Sequence, residues 1–83
     1  SLDLGPTVAA LRQKLEEIAR AELKRQRARL GELTPEQERA VEALLMSTVN
    51  KISHPLINRL RRSHDTGEDE NLQAWRSTFG LEE

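Results

Sequence analysis

Thr34-Pro35-Glu36-Gln37, followed at helical spacing by Val41, Leu44, Leu45, Val49 and Ile52, is the stretch that decides the fold. A threonine N-cap accepts a hydrogen bond from the backbone N–H three residues on. A glutamine at that third position accepts one from the cap's own N–H, so two otherwise orphaned donors are satisfied. Thr34 and Gln37 are therefore the expected capping pair. Proline at a first helical position loses nothing, because its missing N–H would have no partner there. Glu36 and Glu38 suit the positive end of the helix dipole. The apolar stripe then continues in phase beyond Pro55 to Leu56 and Leu60. Proline inside a helix removes a ladder hydrogen bond and crowds the carbonyl four residues back. The stretch thus reads as one helix kinked at Pro55, or as two nearly coaxial helices with Ser53 or His54 as the junction cap.

Working outward, Gly5-Pro6 opens an upstream run that contains no further Gly or Pro until Gly31. Good helix formers dominate it, and Val8, Leu11, Leu15 and Ile18 follow alternating spacings of three and four. Gly31 is placed to end it as a left-handed cap. At ~1.5 Å per residue such a helix is about 40 Å long, more than a compact chain of this size is wide. A helix that long is expected to be sheathed by a second chain or to continue one from a preceding domain. The opening Ser1, in place of Met, agrees with a piece of a longer parent.

Downstream, residues 63–70 are polar and contain Gly67, which predicts a flexible loop. A short helix from about Asp69 to Phe79 would put Leu72, Trp75 and Phe79 on one face, with Gly80-Leu81 as its stop. The expected fold is all-α, a single helical domain over residues 1–83. It is a small bundle with a long first helix, a Pro-kinked second helix and a short C-terminal helix.

Composition says how such a bundle is stabilised. Eighty-three residues bury a modest fraction of their surface. There is no cysteine, so disulfides and thiolate zinc sites are excluded, and His54 and His64 are too few and too far apart for a structural metal. Completion of the core by dimerisation is the remaining route. Leu11, Leu15, Ile18, Val41, Leu45, Val49, Ile52 and Leu56 are the expected packing set, divided between the chain's own core and a partner. No run approaches the length of a membrane helix and no signal peptide opens the chain. Lack of cysteine fits a reducing cytoplasm.

Chemistry finds little purchase. His54 has Ser53 and Ser47 nearby in sequence, yet adjacent residues on a helix point apart, so no nucleophile–base pair is expected and no catalytic residue is assigned. The carboxylates Glu16, Glu17, Glu68, Asp69 and Glu70 fall on polar faces or in the loop, without the burial acid–base work requires. The four glycines are isolated, so no loop can cradle phosphate, and no cofactor site is assigned. Two basic clusters could contact a polyanion: one with Arg25 and Arg29, the other with Lys51, Arg59 and Arg62. The net charge of −1 gives no global field toward nucleic acid. A nucleic-acid-binding module using these clusters is accordingly the alternative reading, and interaction through helix packing the leading one.

Asn50-Lys51-Ile52-Ser53-His54-Pro55-Leu56-Ile57-Asn58-Arg59-Leu60-Arg61 resembles the N-K-x-x-H-x-P-type signature of the C-terminal dimerisation domain of glutamyl-tRNA reductase. Ala21-Glu22-Leu23, the Leu33-to-Glu36 turn and the closing Leu72…Phe79-Gly80-Leu81 are similar to the same family, so the resemblance spans the chain. It implies a non-catalytic, homodimerising part of an enzyme that reduces glutamyl-tRNA with NADPH to glutamate 1-semialdehyde, the entry to tetrapyrrole synthesis. In that family the catalytic cysteine and the NADPH-binding Rossmann domain lie elsewhere, and a spinal helix joins them to the dimer. The parent would bind tRNA, and the helix from Pro6 onward would follow the spine.

Overall fold

The computed structural model describes residues 4–65 and 72–81. Three helices make it up: α1 (Leu4–Leu30), α2 (Pro35–Asp65) and α3 (Leu72–Thr78). Among the described residues there are no strands. The molecule measures 50 × 22 × 14 Å, a slab little more than one helix thick along its shortest axis.

Local chemistry sets the ends. Gly31, at φ 71°, takes the left-handed conformation and its N–H donates to the Arg27 carbonyl at 3.3 Å, closing α1. The turn that follows runs directly into the capping box. The Gln37 N–H donates to Thr34 Oγ1 at 3.1 Å, and the Thr34 N–H donates to Gln37 Oε1 at 2.9 Å. So short a connection forces α1 and α2 to lie side by side and antiparallel. At the far end Gly80, at φ 66°, receives the chain from α3. The Leu81 N–H donates to the Arg76 carbonyl at 2.8 Å and the Gly80 N–H to the Ser77 carbonyl at 3.2 Å, the paired pattern of a Schellman stop.

Three sequence expectations are revised. α1 begins at Leu4, so Gly5-Pro6 lies within its first turn, where proline is tolerated. α2 passes through Pro55 as one helix, the first of the two readings, so the second is set aside and His54 is an exposed residue of a continuous helix, not a junction cap. The freed carbonyl is that of Lys51, an exposed position where water can satisfy it. α2 also continues through Ser63, His64 and Asp65, which composition had assigned to a loop. Polar residues alone do not stop a helix; the first Gly or Pro after Pro55 is Gly67. The rest of the 63–70 stretch, and the predicted start of the last helix at Asp69, lie outside the described residues.

The core lies at one end of the slab, which we call the base. Leu11 of α1, Ile57 and Leu60 of α2 and Leu72 of α3 are buried together. Leu4, Val8, Leu15 and Leu56 close around them from the long helices, and Trp75, Phe79 and Leu81 from the C-terminal segment. Trp75 and Phe79 stack with ring centroids 5.9 Å apart. α3 covers only this end. The opposite end, the tip, is a two-helix hairpin.

Candidate interaction face

Two rows of apolar side chains run along α2, one buried and one largely exposed. Val49, Ser53, Ile57 and Leu60 recur at spacings of four, four and three, and all four are buried. The second row is Leu44, Thr48 and Ile52, all exposed, flanked by half-buried Val41 and Leu45, of which Val41 lines a depression with Leu23 and Arg27 of α1. Leu44 is 69% exposed and Ile52 49% exposed. On α1, Ile18 continues the row of buried Thr7 and Leu11 toward the tip and is 55% exposed. Leucine and isoleucine at that exposure, on neighbouring helices of one hairpin, make a candidate docking face rather than scattered surface residues.

The expected packing set is thereby placed. Leu11 and Val49 are buried, Leu15 and Leu56 half-buried against the core, and Val41 and Leu45 half-buried toward the tip. Ile18 and Ile52 look outward. The apolar letters alone did not disclose Ile57, because the row that carries it contains a serine. An open depression between α2 and α3, lined by Leu56, Ala74, Trp75, Thr78 and Phe79, adjoins the lower end of the face.

Polar side chains tie the helices together behind it. Half-buried Arg12 of α1 donates to Ser53 Oγ at 3.2 Å and to Asn50 Oδ1 of α2. The Ser53 hydroxyl in turn donates to the Asn50 carbonyl at 3.2 Å. That hydroxyl is fully buried and committed, so it is not poised as a nucleophile for His54. Arg76 of α3 donates to buried Thr7 Oγ1 and to the Leu81 carbonyl, each at 3.3 Å, fastening α3 to the start of α1.

Toward the tip, ion pairs replace apolar contact. Arg20 reaches across to Glu42 with distances of 3.1 and 2.6 Å and also meets Glu16 at 3.3 Å. Arg27 pairs with Glu38 at 2.6 Å, and Arg25 with Glu22. The hydrogen bond from Arg20 holds the Glu42 carboxyl below its ordinary range. Arg25, helped by Gln26, does the same for Glu22. Arg20, Arg25 and Arg27 are thus each paired with a carboxylate of the same chain. Arg29, Lys51 and Arg59 are exposed and make no ion pair among the described residues; Arg62 is exposed and has interactions of its own. Among the described residues no group of His, Asp and Glu could hold a metal ion, and no helix is long and apolar enough to cross a membrane.

Comparison with known proteins bears on this face. Residues 1–81 match the family model described as the dimerisation domain of glutamyl-tRNAGlu reductase. Glutamyl-tRNA reductase 2 of Koribacter versatilis is 40% identical over 84 residues, covering 100% of this chain. The glutamyl-tRNA reductases of Geotalea daltonii and Geobacter sulfurreducens are 43% and 37% identical, each over 99% of the chain. In each case the matched region is 19% of the relative's length. No solved structure matches the chain.

Proposed function

This chain belongs to the glutamyl-tRNA reductase dimerisation-domain family, and on that premise we propose that it is the homodimerisation module of a parent glutamyl-tRNA reductase. The observation that supports this is the apolar face of Ile18, Leu44 and Ile52, continued by half-buried Val41 and Leu45, beyond the reach of α3. A second copy would convert two thin slabs into a shared helical core, at about 25 cal/mol per Å² of apolar area withdrawn from water.

In this reading the chain contributes assembly and the parent contributes chemistry. The parent would reduce the glutamyl ester of glutamyl-tRNA with NADPH to glutamate 1-semialdehyde, supplying tetrapyrrole synthesis in the cytoplasm. Such an enzyme draws its nucleophilic cysteine and its nucleotide site from other domains, in accord with a chain that has no cysteine and no clustered glycines. No residue here is assigned to NADPH or to the tRNA.

Sedimentation across a dilution series, read together with thermal unfolding, tests the proposal. A dimer whose melting temperature rises with concentration is expected, because association stabilises only the folded state. A stable monomer with a melting temperature indifferent to dilution overturns it.

A further inference from the structure

We propose that two copies of this chain pack α2 against α2, antiparallel, about a two-fold axis passing at Thr48. This rests on the homodimer reading above and specifies how the two copies meet.

A two-fold contact is isologous, so the surface must complement itself. When two copies of one helix run antiparallel across such an axis, side chains equally distant from the central residue meet. The exposed row of α2 has that symmetry about Thr48. Leu44 and Ile52 lie one turn to either side, and Val41 and Pro55 two turns to either side. Each copy would therefore set Leu44 against the other's Ile52, the two most exposed large apolar residues of α2. Ile18 borders this contact from α1, and Val41 of one copy comes toward the depression beside Leu56 of the other.

Thr48 is suited to the axis. Its hydroxyl donates to the Leu44 carbonyl at 2.8 Å, so its polar atom is satisfied within its own helix and its methyl is left for contact. A small side chain there allows close helix approach, about 8 Å between axes.

Charge distinguishes this register from its neighbours. With the axis at Thr48, Arg59 lies beside the first turn of the second copy's α2, which carries Glu36 and Glu38. An axis one turn later, at Ile52, sets Arg59 against Leu45. An axis one turn earlier, at Leu44, sets Ile52 against Glu36. Each of the three registers sets one apolar residue of the row against a charge, Leu45 against Lys51 in the Thr48 register, so what distinguishes that register is the opposite-charge contact of Arg59, which either shift loses.

Because the chain has no cysteine, single cysteines report the register without interference. Thr48→Cys is expected to form a symmetric disulfide, or to link through a short bismaleimide, in the oxidised chain. Leu44→Cys and Ile52→Cys are each expected to stay unlinked alone and to link when mixed. Thr48→Lys, checked for unchanged helicity by circular dichroism, is expected to weaken dimerisation about 100-fold by placing two cations on the axis. Sedimentation before oxidation separates the two layers of inference. A dimer whose Thr48→Cys variant fails to link, while Ile18→Cys links to itself, overturns the register and leaves the homodimer standing. A chain that is monomeric before oxidation overturns both.

Discussion

Base and tip of the same hairpin are held by different forces. At the base, α1 and α2 share a third element, and Leu11, Leu60 and Leu72 are withdrawn from water. At the tip the same two helices meet through Arg20–Glu42 and Arg27–Glu38, while Leu44 remains mostly in solvent. Apolar residues are not scarcer at the tip; α2 carries Val41, Leu44 and Leu45 within a turn and a half. What the tip lacks, among the described residues, is a third surface to close on them. Two helices touch along a line, and a residue becomes buried only when neighbours approach from several sides. The tip's ion pairs are exposed and therefore contribute little. Buried core is concentrated at the base, and exposed apolar side chains toward the tip.

The largest expected test of this contrast is Leu60→Ala. Removing a fully enclosed leucine leaves a cavity among Leu11, Ile57 and Leu72, and about 2–5 kcal/mol of stability should be lost. Urea unfolding at one fixed protein concentration measures it. Leu44→Ala, in the same helix, should leave the unfolding of a dissociated sample nearly unchanged, and equal losses at the two positions would dissolve the distinction. Between base and tip, Arg12→Ala removes the donor that Ser53 and Asn50 share, and about 1–3 kcal/mol is expected from the stranded buried acceptor. A loss no greater than that of an exposed arginine, such as Arg61→Ala, would show that the polar contact is dispensable.

The smallest effect belongs to the tip ion pair. Glu42's carboxyl titrates below its ordinary value because Arg20 hydrogen-bonds its charged form. Its contribution is therefore complete above the ordinary carboxylate pKa and disappears as pH falls through the lowered folded value. Arg20→Gln should be slightly less stable than the parent chain near neutral pH, with the difference shrinking in acid and in high salt. A difference that widens on acidification would contradict the assignment.

How far the letters carried can be traced to particular residues. Helix ends were legible where one local hydrogen-bond exchange decides the matter, as at Thr34–Gln37, Gly31 and Gly80-Leu81. The all-α class followed from spacing, and the outward or inward division of the packing set did not, because it depends on where α3 stops. Ile57 was hidden by Ser53, whose burial is acceptable only because a residue 41 positions away reaches it. Ser63 to Asp65 were misplaced because polarity was taken for a break, while nothing in them disfavours a helical turn. The uncovered face became visible only in three dimensions, since an exposed leucine and a buried one have the same letter.

Arg12's grip on Ser53 and Asn50 has a consequence of another kind. Leucines recur along both helices, so sliding α1 past α2 by a full turn, about 5.4 Å, would still set grease on grease. The guanidinium has its two acceptors at one position only, and a slid hairpin would leave a charge stranded between the helices. A contact of modest strength thereby selects one alignment from a ladder of near-equivalents, and with it the height at which the tip's open face begins.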